Sequence, residues 1–197
     1  MKLLTRTAIA AGFASAALVA QAATFATFAD PTIGQANPLP LFTLDTVGNT
    51  LTGSYTGGID LVTSTTTYNG VSLSMNSVAA TPVVPGFYNL GAGSVTLSNA
   101  SDSNILTITF AAGTLSDNGF GGSDFKGNGV AFSGSSVPSA GLTDEAFGFS
   151  FANPAQAGNN VTYTAAFTSS ASPVPEPASF AVLGIGAIAM IRRRKRA

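Results

Sequence analysis

One glycine-rich stretch gathers most of the side chains that could bind a metal ion. Residues 117–129 read DNGFGGSDFKGNG, and the candidate calcium ligands in them are Asp117, Asn118, Asp124 and Asn128. Calcium takes about six to eight oxygen ligands, mostly carboxylates, amides and main-chain carbonyls of one loop, and its carboxylates are usually closer together than here. A glycine-rich hairpin has the same composition. The sequence therefore favours a structural hairpin, and a calcium site is the alternative.

Two other groups of residues have the chemistry of a catalytic site without its geometry. Asp144 and Glu145 are adjacent, and neighbours on a strand point to opposite faces, whereas a glycosidase needs two carboxyl groups in one cleft. Ser123 and Lys126 match the S-x-x-K pattern. That pattern works on a helix, and glycines surround this copy. We therefore expect no catalytic residue, and we expect that the protein is not an enzyme.

The composition excludes several kinds of site. The 197 residues include no histidine, cysteine or tryptophan. Without histidine there is no Ser-His-Asp triad and no histidine-ligated zinc. Without cysteine there is no disulfide, thiolate nucleophile or thiolate-bound metal. The stability of the folded part must therefore come from its core.

The charges are distributed unevenly. From residue 23 to residue 172 the chain has one basic residue, Lys126, against eight carboxylates, a net charge of −7. The other basic residues lie at the two ends, and five of them are Arg192, Arg193, Arg194, Lys195 and Arg196. Nucleic acids and anionic lipids are bound through lysine and arginine. The acidic body therefore indicates no nucleic-acid partner.

The N-terminus has the three parts of a secretory signal peptide, which we place at residues 1–22. Lys2 and Arg6 precede and flank an apolar run of small residues, and Ala20 and Ala22 form an A-x-A cleavage site before Ala23. This order is typical of export through the Sec translocon with removal by signal peptidase. The mature chain should therefore begin at Ala23, outside the cytoplasm.

Period-2 alternation of apolar and polar residues dominates the body, residues 23–168. Phe147–Phe151 and Val161–Phe167 are two such segments, with Thr162 and Thr164 of the second expected on the solvent face. Turn formers such as Gly57–Gly58 and Asn69–Gly70 are expected to separate the strands. The pattern predicts an all-β fold, a two-sheet antiparallel β-sandwich of jelly-roll type with about eight to ten strands.

The C-terminus contains a second set of ordered elements. A polar spacer at 169–173 precedes Pro175, Glu176 and Pro177, whose prolines exclude helix interior. The uncharged apolar run 178–191 follows, and as a transmembrane helix it would measure about 21 Å, short of the ~30 Å hydrocarbon core. The basic tail 192–196 should stay on the cytoplasmic side.

Residues 174–197 resemble the PEP-CTERM sorting signal, in which a PEP motif, a short apolar helix and an arginine cluster follow in that order. The resemblance implies that exosortase, a membrane-embedded cysteine protease, recognises Pro175, Glu176 and Pro177. It implies that residues 178–191 hold the substrate in the inner membrane transiently and that residues 192–196 stop transfer. It also implies a Gram-negative bacterium that makes exopolysaccharide and a biofilm matrix.

Three functions remain for the exported body. The first is a structural or adhesive protein of the cell surface or extracellular matrix that contacts exopolysaccharide. The second is a carbohydrate-binding module, either independent of calcium or dependent on it, which in the absence of tryptophan would use tyrosine or exposed phenylalanine. The third, and the least favoured, is a glycoside-active enzyme.

Overall fold

A computed structural model describes residues 22–117 and 123–174. These residues form twelve β-strands and no helix: β1 (Ala23–Phe28), β2 (Phe42–Asp45), β3 (Thr50–Thr63), β4 (Thr67–Val84), β5 (Phe87–Leu90), β6 (Gly93–Ser98), β7 (Leu106–Phe110), β8 (Ala112–Ser116), β9 (Ser123–Asn128), β10 (Ala131–Ser133), β11 (Leu142–Ala157) and β12 (Asn160–Pro173). Nearly all of the predicted signal peptide and the predicted transmembrane helix at 178–191 lie outside the described residues. Within the described residues, no helix has the length and apolar character needed to cross a membrane.

The strands pair in one continuous antiparallel sheet. Its order is β1-β3-β2-β12-β11-β9-β8-β5-β4-β6-β7-β10, with additional pairings of β1 with β12 and of β3 with β4. The predicted all-β, antiparallel class is confirmed. The ladders do not divide into the two sheets of the predicted sandwich, because the long strands β3, β4 and β12 each pair with different partners at their two ends.

The core is built largely from phenylalanine rings. Phe147, Phe149 and Phe151 alternate on β11 and are all buried, as the alternation predicted. Phe125 of β9 stacks on Phe149 with ring centroids 5.7 Å apart, and it meets Phe147 edge-on at 5.3 Å. Offset and edge-to-face pairs of this kind add to the stabilisation that burial alone provides. The core therefore joins β9 and β11 through side chains as well as through the ladder.

The glycine-rich positions predicted as turns in the first half of the body lie inside strands. Gly57 and Gly58 belong to β3, Gly70 belongs to β4, and all three have positive φ angles. The β3–β4 register shifts beside them, between Tyr55 and Ile59 and again before Leu61. Glycine at positive φ serves a bulge as well as a turn, so the prediction of separate strands was wrong here.

The prediction that Thr164 lies on the solvent face was also wrong. This residue is buried, and the Asn153 side-chain amide donates a hydrogen bond to its hydroxyl at 3.0 Å. Asn153 has a φ of +50° and lies where the β11–β12 register shifts between Ala152 and Ala155. The bulge supplies a polar partner for the threonine, which is therefore satisfied although it is buried.

Residues 169–173 are not a spacer but the last part of β12. Ser169, Ala171 and Ser172 are buried there. The folded body thus extends to Pro173, five residues beyond the predicted boundary at residue 168.

Candidate functional site

The two ends of the body lie side by side. β1 and β12 are antiparallel, and their ladder runs from Ala23 opposite Ala171 to Phe28 opposite Phe167. The first strand therefore pairs with the last one, across a sequence separation of about 140 residues in the hydrogen bonds between them. The start of β1 at Ala23 and the end of β12 at Pro173 therefore lie at the same end of the sheet.

A buried serine holds this ladder together at an irregular point. The β1–β12 register shifts between Thr24 and Ala26, which allows both Phe25 and Ala26 to be buried. The Ser169 hydroxyl accepts a hydrogen bond from the Ala26 amide at 3.1 Å and donates one to the Ala26 carbonyl at 3.0 Å. Ser169 thus gives the amide and the carbonyl of the buried Ala26 a side-chain partner next to the bulge.

The end of β12 is defined by proline. Pro173 pairs with Leu142 of β11 and has no amide to continue the ladder. Beyond it the Val174 amide donates a long hydrogen bond, 3.4 Å, to the Gly141 carbonyl. Backbone pairing therefore extends to Val174, the last of the described residues.

The described part of the predicted signal-cleavage site is accessible. Ala22 and Ala23 are exposed, and Ala23 is the first residue of β1. Ala20 lies outside the described residues. The predicted mature N-terminus therefore coincides with the start of the first strand.

The predicted calcium ligands fall on a hairpin. Asp124 is in β9 opposite Ser116 of β8, and Asn128 lies at the other end of β9 opposite Ala112. The Ser116 hydroxyl donates to the Asp124 carboxylate at 2.8 Å, and Lys126 forms an ion pair with it at 2.5 Å. Partial burial acts to raise the pKa of Asp124, but the hydrogen bonds from Lys126 and Ser116 hold it below its usual value.

Asp117 has a different partner. The Tyr163 hydroxyl donates a hydrogen bond to its carboxylate at 2.7 Å. Burial, with this hydrogen bond and the negative charge of Asp117, raises the pKa of Tyr163. Asn118 lies outside the described residues. Within the described residues, no three acidic side chains are grouped as a metal site requires.

The adjacent carboxylates Asp144 and Glu145 lie at a bulge of β11. Asp144 has a φ of +55°, and the β11–β12 register shifts between Thr143 and Ala146. Asp144 is exposed and Glu145 is partly exposed. The bulge, rather than a cleft, accounts for their placement.

An apolar depression lies at the β4–β5 turn of the described residues. Val83, Val84 and Phe87 are 58%, 53% and 44% exposed. With Tyr88, Asn89 and Thr114 they line a shallow depression of about 370 Å³. Apolar and aromatic faces beside polar groups are typical of small-molecule contacts.

Comparison with known protein families finds a match in the C-terminal part of the chain. Residues 173–196 match the family described as the PEP-CTERM protein-sorting motif. The chain carries a PEP-CTERM sorting motif. No curated protein and no solved structure matches the chain.

The PEP-CTERM motif implies an exported protein that exosortase processes and that reaches the cell surface. Its match begins at Pro173, the last residue of β12. The predicted recognition residues Pro175, Glu176 and Pro177, and the predicted stop-transfer residues 192–196, lie outside the described residues. Body and motif therefore follow each other directly, with no spacer between them.

Sequence reasoning missed the contribution of Ser169, although the signal was present. Tyr163, Ala165 and Phe167 alternate as buried residues, and the same period continues through Ser169 and Ala171. The small side chains and the following prolines concealed a strand. Lys126 was likewise considered with Ser123, whereas its ion-pair partner Asp124 lies two residues away on the same strand face.

Proposed function

We propose that the protein is a non-catalytic structural or adhesive component of the bacterial cell surface or extracellular matrix, delivered there through its PEP-CTERM tail. The observation that carries the proposal is the direct succession of β12 and the sorting motif at Pro173. The last described strand reaches Pro173, where the sorting motif begins, so removal of the chain beyond Val174 would leave all twelve described strands in place.

The charge of the body supports this role. Once residues 1–22 and the tail are removed, the body from residue 23 to residue 172 keeps its net charge of −7. A strong net charge of one sign favours solubility in a hydrated matrix and opposes self-association. Its exposed strand faces carry many serine and threonine hydroxyls, which suit contact with exopolysaccharide.

We further propose that the tail is a transient anchor in the inner membrane rather than a permanent one. The apolar run 178–191 gives a helix of about 21 Å, which is short for the ~30 Å hydrocarbon core. The five basic residues after it oppose transfer across the membrane. A short apolar segment followed by a basic cluster suits a protein that is held in the membrane only until a membrane protease cleaves it.

The test is mass spectrometry of the mature C-terminus in an exosortase-competent bacterium and in the same strain without exosortase. We expect loss of residues 192–197 only when exosortase is present. Glu176→Ala should block this loss, and Glu145→Ala, which changes the only other glutamate of the chain, should not. Mature protein that keeps residues 192–197 in the competent strain would establish a permanent anchor instead.

A second arm separates membrane retention from recognition. Replacement of residues 192–196 by serine removes the positive charge and should release the tail from the inner membrane. Replacement by lysine alone keeps the charge and should preserve retention. Equal retention of both variants would contradict a role of charge in holding the tail.

Carbohydrate binding is the second candidate function, and the apolar depression favours it. Phe87, which is 44% exposed, and Tyr88, which is partly buried, begin strand β5 and both line the depression. A glycan array with wild type, Phe87→Ala and the exposed valine variant Val47→Ala tests this. Binding that only Phe87→Ala abolishes would support the module, and its persistence after chelation would exclude a need for calcium.

A further inference from the structure

The last part of β12 is paired with two neighbouring strands. From Phe167 to Ser170 each residue pairs with β1 on one edge and with β11 on the other, Ala171 pairs with Ala23 of β1, and Ser172 and Pro173 pair with β11. Proteases commonly bind substrates as an extended strand that adds to their own, which requires free backbone donors and acceptors. This part of β12 therefore offers no substrate backbone while the β1–β12 ladder is closed.

Little chain separates this enclosed strand from the predicted membrane segment. Only residues 174–177 lie between Pro173 and the start of the apolar run at residue 178. Fully extended, four residues reach about 14 Å at most. A protease in the membrane therefore has at most this short stretch of chain between the predicted membrane segment and the folded sheet.

We propose that the pairing of β12 with β1 up to Ala171 and with β11 up to Pro173 sets the inner limit of tail removal. The protease acts on an already folded body and cuts only C-terminal to Pro173. The ladder then keeps the new C-terminus beside the N-terminus that signal peptidase made. This inference rests on the proposed sorting function, because it specifies where the same processing event must stop.

Ser169 provides a means of opening the ladder selectively. Ser169→Ala removes both hydrogen bonds to Ala26 and leaves two buried backbone groups without that partner. Thr168→Ala changes the neighbouring exposed residue and is the matched control. Thr27→Val is a milder variant of the same ladder, because the Thr27 hydroxyl donates to the Phe167 carbonyl at 2.7 Å.

The first experiment maps mature C-termini by intact-mass spectrometry in the exosortase-competent strain. Wild type and Thr168→Ala should end at Val174 or later. Ser169→Ala should give at least about tenfold more chains that end within residues 160–172, since cleavage follows the population of the open ladder. If Ser169→Ala is not recovered, Thr27→Val should show the same change to a smaller extent.

The second experiment uses the full chain, purified in detergent from cells without exosortase and treated with a protease of broad specificity. Wild type should be trimmed to the end of β12 and then persist, while Ser169→Ala should be cut inside β12 at least about tenfold faster. A major wild-type end upstream of Pro173, or equal rates for Ser169→Ala and Thr168→Ala, would overturn the ladder as the limit. Retention of the tail in competent cells would instead overturn the sorting function, and the detergent experiment would still decide the role of the ladder.

Discussion

Gly127 is the position where the packing of the core allows the sharpest prediction. A Cβ atom at Gly127 of β9 would overlap the ring of Phe147, with Cζ of that ring at 2.7 Å. The ring has little room to move, because it packs against Phe110, Phe125 and Phe149 at centroid distances of 5.3 to 5.9 Å. Gly127→Ala must therefore displace a buried ring or the backbone of β9.

The expected magnitude follows from two opposing effects. Overpacking of a filled core costs about 1–3 kcal/mol. Replacing glycine by alanine at a position with ordinary φ stabilises a protein by about 0.4–1 kcal/mol through the unfolded chain. We therefore expect Gly127→Ala to lower the free energy of unfolding by about 1–2 kcal/mol. At about 2–4 °C per kcal/mol for a domain of this size, Tm should fall by about 2–8 °C.

Gly148→Ala is the matched control. Gly148 lies on the facing strand β11, opposite Lys126, and a Cβ there would meet nothing closer than 3.8 Å. Its free energy of unfolding should be unchanged or should rise slightly. Both variants are measured by urea and thermal denaturation of the purified exported protein. Equal stability of the two variants would refute the packing of Phe147 against β9.

Three further predictions concern other parts of the body. Ser169→Ala should lower Tm by about 2–12 °C relative to Thr168→Ala in thermal denaturation, because the loss of two hydrogen bonds at about 0.5–1.5 kcal/mol each costs about 1–3 kcal/mol; an unchanged Tm would show that water replaces the hydroxyl. The pKa of Asp124 is lowered in the folded state. Its contribution to stability is therefore present above its unfolded pKa of about 3.9 and is lost as pH falls through the lower folded value. Asp124→Asn should make the free energy of unfolding fall less steeply over this acid range in denaturation measured against pH, and an unchanged slope would contradict the lowered pKa of Asp124. Millimolar calcium should leave Tm unchanged, because Ser116, Lys126 and Tyr163 already engage the carboxylates of Asp124 and Asp117; a rise in Tm with calcium concentration would instead demonstrate a site.

Local patterns predicted the strands of the body better than their limits. The alternation at Phe147–Phe151 predicted buried rings, and these are buried. The glycines at 57, 58 and 70 were predicted as turns but lie inside strands. A bulge and a turn both use glycine at positive φ, and only the distant partner strand distinguishes them. The pairing of β1 with β12 was beyond sequence reasoning, since it depends on contacts between opposite ends of the chain.

Some parts of the candidate site were likewise predictable from the sequence and others were not. The tail motif was predictable because its three elements are contiguous in sequence, and the family match covers residues 173–196. The boundary at Pro173 was not predicted, because serine and alanine are ambiguous between spacer and strand. Burial of Ser169 is decided by Ala26, which is 143 residues away.

The pairing of β1 with β12 places the start of the mature body and the start of the tail motif at one end of the sheet. β12 has 14 residues, so at about 3.3 Å per residue its Asn160 end stands roughly 45 Å from Pro173. At that far end the Thr46 amide and hydroxyl both bond the Asn159 carbonyl, at 3.0 and 2.7 Å, which joins two turns into one tip. In the proposed anchored state, this tip is at the end of β12 opposite the tail. A partner in the matrix would then meet these turns before it meets the end that carries the tail.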